Sequence, residues 1–215
     1  MIRLAISAEG PTEREFCREI IRPHLLDRHI DATPIVVTTK KVIDGPNHKG
    51  GSISIDRIRN EVRELVHSFD YVTTLYDFYG FIGRQERETA DQLCARIAAA
   101  LENPRNFIPY LQVYEFEALI FSEPAVVGSF LESEAVGIDL RRAVDESGSP
   151  ERVNDSPETS PAKRLTESFS GHLRTRYDKT YHGPLLALEI GLPAMRASCP
   201  RFASWLARLE TLPNT

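Results

Sequence analysis

The 215-residue chain is long enough for one compact domain with a sizeable core. Hydrophobic residues make up 41% and charged residues 27%, as in an ordinary globular protein, and no apolar run reaches the ~18 residues of a membrane-spanning helix. A net charge of -5 excludes a globally basic nucleic-acid coat, but not an enzyme that meets nucleic acid locally through metal ions. The opening MIRLAISAEG runs straight into a strand-like pattern, which predicts no secretory signal. Cys17, Cys94 and Cys199 are odd in number and lack metal-type spacing, so a reducing, cytoplasmic setting is expected.

Ile2, Leu4 and Ile6 predict a short strand that stops at Ala8-Glu9-Gly10-Pro11. Thr12 followed by Glu15 reads as a capping box opening a helix, with Phe16, Cys17, Ile20 and Ile21 on one face and Pro23 kinking or ending it. Pro34 to Thr39 is β-branched and predicts a second strand. The stretch from Lys40 to Ser54, with Gly45, Pro46, His48, Lys49, Gly50 and Gly51, reads as a loop and lacks the ending of a nucleotide-binding P-loop. Ile55, Ile58, Val62, Leu65 and Val66 have helical spacing; Tyr71 to Tyr76 is a strong strand ending at Asp77. Leu93, Ile97 and Leu101 mark the next helix, and Phe107 to Val113 a strand that Pro109 assigns to an edge or a strand start.

This β-α-β-α-β-α-β order predicts an α/β fold, a mostly parallel sheet flanked by helices. The character changes at residues 147–161, rich in Ser, Pro, Glu and Asp; short helical pieces follow, then a clear amphipathic helix carrying Phe202, Trp205, Leu206 and Leu209. The expected organisation is an α/β core over 1–146 and a helical C-terminal extension over 147–215, packed as one unit.

In open α/β sheets the working residues collect at the carboxyl ends of the strands. Here three strand ends carry carboxylates: Glu9 after the first, Asp77 after the third, and Glu115 and Glu117 after the fourth. Glu13 lies one helical turn beyond Glu9. Converging carboxylates repel unless a cation sits among them, and hard oxygen donors suit Mg²⁺ or Mn²⁺. Such an ion polarises a phosphodiester and acidifies a bound water. Each residue alone also has a plain reading, as helix-dipole partner, turn or cap; the coincidence of three strand ends carries the inference. Lys163 and Arg164 in Ser160-Pro161-Ala162-Lys163-Arg164, where Ser160 is placed to cap, and Lys179 in Tyr177-Asp178-Lys179 are the candidate phosphate- or substrate-binding cations. The cysteines, in apolar helical contexts, read as small core residues.

Glu9-Gly10-Pro11-Thr12-Glu13, Leu75-Tyr76-Asp77-Phe78-Tyr79-Gly80-Phe81, Tyr114-Glu115-Phe116-Glu117-Ala118-Leu119-Ile120-Phe121, Ser160 to Leu165 and Cys199 to Leu206 together resemble the motifs of a Toprim-like bacterial family, the domain of unknown function 4276. The resemblance implies a Toprim-type fold, similar to that of topoisomerases, primases and overcoming-lysogenization-defect nucleases. It implies Glu9 as general acid or base and Asp77 as metal ligand, with Tyr79 standing where the second Asp of an Asp-x-Asp pair stands in that superfamily. The resemblance further implies a setting in antiphage defence beside an ABC- or AAA-type ATPase partner. The resulting expectation is a divalent-metal-dependent nuclease with no membrane association. The alternative is a catalytically silent subunit that works with the ATPase, and a small-molecule phosphatase is the third option.

Overall fold

A computed structural model describes residues 1–37, 53–153 and 159–213. The loop with His48, Lys49, Gly50 and Gly51, and the end of the second strand, therefore lie outside the described residues. Four parallel strand positions form the sheet in the order β2 (Ile30–Val36), β1 (Ile2–Ala8), β3 (Tyr71–Asp77), β4 (Phe107–Ile108), with β5 (Leu111–Gln112) pairing further along β3. From β1 the chain crosses to one side and from β3 to the other, so the order reverses between these two adjacent strands. That reversal opens a crevice at their carboxyl ends, where Glu9 and Asp77 lie.

The strand predicted over Phe107–Val113 is broken at Pro109 and Tyr110. Proline has no N–H for the ladder, and threonine hydroxyls of β3 bridge the gap. Thr73 Oγ1 donates to the Ile108 carbonyl and Thr74 Oγ1 to the Tyr110 carbonyl, both at 2.6 Å, and the Tyr110 N–H donates to Thr74 Oγ1 at 2.8 Å.

The first helix also differs from its expected form. Pro11, whose fixed φ suits a first helical turn, starts α1 (Pro11–Phe16) two residues early, so Gly10 is the N-cap and no side chain caps it. Thr12 and Glu13 are thereby turned into the interior, and Glu15 pairs with Arg14 and Arg18 instead of closing a capping box. Nor does Pro23 end the helical path. A π-turn (Cys17–Ile21) leads directly into α2 (Arg22–Leu26), with Pro23 in its first turn, where a missing N–H is tolerated.

On one face of the sheet, α3 (Ile55–Ser68) and α4 (Ala90–Ala100) bury Ile58, Val62, Leu93 and Ile97 against Val72 and Tyr76. α4 opens with a full capping box between Thr89 and Gln92. The other face is covered by α1 and by the C-terminal helices α8 (Lys179–Ser198) and α9 (Pro200–Glu210). There Leu4, Ile6 and Phe16 share one apolar cluster with Leu186, Met195, Phe202, Trp205, Leu206 and Leu209. Trp205 stacks on Tyr110 with ring centroids 4.6 Å apart, and its indole N–H donates to Thr73 Oγ1 at 2.9 Å. Residues from both sides of position 146 thus build one core.

Between these halves run a 3-10 helix (Phe116–Ser122), the hairpin of α5 (Pro124–Phe130) and α6 (Glu134–Ser147), and α7 (Pro161–Ser168). Gly128 and Gly137 let α5 and α6 touch backbone to backbone: a Cβ on Gly128 would lie 3.1 Å from the Gly137 Cα. Helix α8 is broken at Gly191, whose φ of 75° lies in the left-handed region, two residues before Pro193. The three cysteines are buried free thiols, and burial pushes Cys94 up to about 11 and Cys199 up to about 12, which removes them as nucleophiles at neutral pH.

Candidate functional site

At the crevice, each carboxylate is fixed by the element that follows its strand. The Glu9 backbone N–H donates to the Leu75 carbonyl at 3.2 Å, which extends the β1–β3 pairing by one residue; its carboxylate accepts the Asp77 N–H at 2.9 Å. Asp77, the last residue of β3, accepts the Phe116 N–H through Oδ1 at 2.8 Å and so holds the first turn of the 3-10 helix. That turn places Glu117 in the interior, fully buried. Glu13, in the first turn of α1, curls back towards Gly10, where a Cβ would lie only 3.2 Å from Glu13 Oε2.

Burial shapes the protonation of this group. It pushes Glu9 up to about 7, against the pull of the Asp77 N–H and with the nearby Glu13 charge adding to the rise. Asp77 is raised well above the usual carboxylate range, first by burial and then by Glu9 and Glu13. Burial likewise raises Glu117 to about 7, opposed by Lys179. The Lys179 ammonium, in the first turn of α8, lies 3.9 Å from Glu117 Oε1. Burial pulls its pKa down, but the charges of Glu117, Asp77, Glu13 and Glu9 outweigh that and raise it. Lys179, with Arg57 also lowering Glu9, thus sets positive charge against four acids at a single sheet edge.

Several buried oxygens of this cluster have no hydrogen-bond partner among the described residues: Thr12 Oγ1, Glu13 Oε1 and Glu117 Oε2. Leaving such groups unpaired away from water costs free energy, so a cation or ordered water belongs beside them. The donor set, all carboxylate and hydroxyl oxygen, fits Mg²⁺ or Mn²⁺. Among the described residues, however, no three Asp, Glu, His or Cys side chains converge closely enough to cage a metal ion as they stand. A Mg²⁺ site needs no such cage, since the ion keeps several waters and takes one or two carboxylates.

The other candidates lie around this centre or away from it. Glu115 is occupied: its Oε2 accepts the Ala162 N–H at 3.0 Å and caps α7, the role expected of Ser160, whose own side chain makes no cap bond. Lys163 is directed to Glu167 at 4.0 Å. Arg164 donates to the Thr159 carbonyl at 3.0 Å and lies 3.9 Å from Glu146, so its guanidinium is engaged on the α6 side. The structure therefore brings together Glu9, Glu13, Asp77, Glu117 and Lys179, and turns Glu115, Lys163 and Arg164 to other partners. Tyr79 has its N–H on the Tyr114 carbonyl at 2.8 Å and lines a shallow depression with Phe81, Ile82, Arg84 and Arg87.

Thr12, Tyr177 and Gly183 were not foreseen. The Tyr177 hydroxyl donates to Glu117 Oε1 at 3.5 Å, and burial raises its pKa well above the usual value. Gly183 brings α8 down onto both residues: a Cβ there would meet Thr12 Cγ2 at 3.1 Å and the Tyr177 hydroxyl at 3.3 Å. A glycine followed by Pro184 inside a helix was the available signal. A groove of about 720 Å³ between α5 and α6 shares no lining residue with the carboxylates. The carboxylates, unlike the groove, combine burial with raised pKa values, which marks a candidate site.

No curated protein and no solved structure matches the chain. One family profile does, over residues 8–210, which span every strand end and helix described above. The chain belongs to the family described as a domain of unknown function, DUF4276.

Proposed function

We propose that the crevice between β1 and β3 is the site of a divalent-metal-dependent phosphodiester hydrolase acting on nucleic acid. The observation that supports this reading is the placement of four largely buried carboxylates, two with unpartnered oxygens, at the switch point of a parallel sheet. One or two of Asp77, Glu13 and Glu117, with waters completing the shell, would hold Mg²⁺ or Mn²⁺. The ion supplies charge against the phosphodiester and a lower pKa for water. Glu9, raised to about 7, is matched to taking or giving a proton near neutral pH. Its position is set by the Asp77 N–H, so it acts from a fixed place at the edge of the cluster. Following the resemblance stated above, such an activity would serve antiphage defence with an ABC- or AAA-type ATPase.

Calorimetry with Mn²⁺ on wild type and Asp77→Ala, followed by nucleic-acid cleavage assays, tests the reading. Saturable binding and cleavage lost in Asp77→Ala are expected; full cleavage by that variant in a clean preparation would end it. The second reading is a catalytically silent subunit of the ATPase. It is favoured by Tyr79 two residues after Asp77 and by the lack of three converging metal-ligand side chains among the described residues. For that reading millimolar Mn²⁺ leaves the melting temperature unchanged.

A further inference from the structure

The Lys179 side chain sits between two different environments. On one side its ammonium is 3.9 Å from Glu117 Oε1 and within the field of Asp77, Glu13 and Glu9. On the other is an open hollow of about 520 Å³ lined by Ala162, Thr166, Arg176, Tyr177, Asp178 and Lys179 itself. The side chain is 49% exposed, whereas Glu117 is 1% exposed. The acid is therefore fixed in the interior while the lysine stem reaches it from the solvent side.

Backbone and side chain are anchored unequally at this point. Asp178 caps α8 through its carboxylate, accepting the Thr180 N–H at 2.9 Å and the Tyr181 N–H at 3.4 Å, so the helix start is rigid. Lys179, the first residue of that helix, is held at its tip by the long contact to Glu117, and a 3.9 Å ion pair on a half-exposed lysine is weak. A four-carbon stem with rotatable bonds can move its charge by several ångströms without disturbing the helix.

We propose that Lys179 is a displaceable internal counter-ion: it neutralises the carboxylates when no metal is bound, is expelled by the divalent ion, and then joins Arg176 in the hollow to seat a phosphate group of the substrate. This rests on the metal-dependent reading above and adds an order of events to it. Four acids face two bases, Lys179 and the Arg57 that acts on Glu9, so once its acids are deprotonated the site is net negative and attracts a divalent ion. Once the ion has arrived, an ammonium among its ligands is repelled. The hollow offers the released charge a second cation, Arg176, and together they form an anion seat beside the crevice. Phosphate binding then follows metal binding, and the site does not hold an anion before it holds the ion.

The test is acylation of lysines by N-hydroxysuccinimidyl acetate, read residue by residue by mass spectrometry on the full chain, with Lys163 as internal control. Without metal, Lys179 should react several-fold more slowly than Lys163. Saturating Mn²⁺ should accelerate Lys179 several-fold and leave Lys163 unchanged, and inorganic phosphate added with Mn²⁺ should protect Lys179 again. Glu117→Gln, close to isosteric, should give fast Lys179 labelling without metal. Arg176→Met should retain the Mn²⁺ response and lose the phosphate protection. Mn²⁺ binding by calorimetry with no change in Lys179 labelling would overturn the displacement alone. Absence of Mn²⁺ binding would overturn this proposal together with the hydrolase reading, and protection by phosphate without Mn²⁺ would overturn the order of events.

Discussion

The Glu9 carboxylate accepts the backbone N–H of Asp77 at 2.9 Å, and Asp77 passes the arrangement on by accepting the Phe116 N–H at 2.8 Å. Two acids that would otherwise repel are thus each assigned a backbone donor, and three chain segments are locked at one edge. Asp77→Asn keeps an oxygen for Phe116 and removes the charge, so it should fold normally. Asp77→Ala leaves a buried N–H unpaired, at a cost of about 1–3 kcal/mol. Denaturant melts should separate the two, while metal binding and cleavage should be lost in both.

The pH dependence of metal-free stability has a fixed sign. Glu9 and Glu117 are both raised from 4.5 to about 7 in the folded chain, so between those values the native state binds more protons than the unfolded one. Stability from these groups is full below about 4.5 and is lost as pH rises towards and through 7. The metal-free chain should therefore melt lower at pH 8 than at pH 5.5. Glu9→Gln and Glu117→Gln, neutral at every pH, should each flatten that slope in thermal melts.

Divalent metal should reverse the slope. Ligation needs deprotonated carboxylates, so binding releases protons and tightens as pH rises. The Mn²⁺-induced rise in melting temperature should be larger at pH 8 than at pH 6. Calorimetry in buffers of different ionisation enthalpy should report the protons released.

Gly183→Ala sets helix propensity against packing. Alanine gains about 1 kcal/mol in a helix interior, but its Cβ would meet Thr12 Cγ2 at 3.1 Å, the Tyr177 hydroxyl at 3.3 Å and Phe116 Cε1 at 3.4 Å. Overpacking at a rigid site costs about 1–3 kcal/mol. A net loss of about 1 kcal/mol is expected by urea unfolding, with weakened Mn²⁺ binding because Thr12 and Tyr177 flank the acids.

Trp205→Phe keeps most of the stacking area over Tyr110 and removes the donor to Thr73 Oγ1. A loss of about 1–2 kcal/mol is expected from chemical denaturation. Tyr110 fluorescence, freed from its indole neighbour, should rise in the folded state.

The layered α/β architecture was legible because parallel strands buried on both faces, such as Tyr71 to Tyr76, leave unmistakable β-branched runs, and because the stripe of Phe202, Trp205, Leu206 and Leu209 can only be an apolar face. Glu9, Asp77 and Glu117 could be placed at strand ends for the same reason. What sequence spacing did not carry was competition between neighbours for the same backbone group. Ser160 has the right chemistry to cap α7, yet Glu115, 45 positions earlier, reaches the Ala162 N–H instead. Pro11 outbids Thr12 for the helix start, and a π-turn absorbs Pro23. Such outcomes depend on which segments the fold brings together, and no local pattern encodes them.

The placement of Tyr177 and Lys179 has a consequence for biosynthesis. All four carboxylates have been made once residue 117 is added, but the helices that cover them and the ammonium that balances them come some 60 residues later. A chain still on the ribosome can pair β1 with β3 and carry the acids, yet it holds them bare, with Leu4, Ile6 and Phe16 still lacking Phe202 and Trp205. The crevice is completed only as the last helices emerge, so a translation product stopped short of α8 carries the four acids without the ammonium and the helix that cover them.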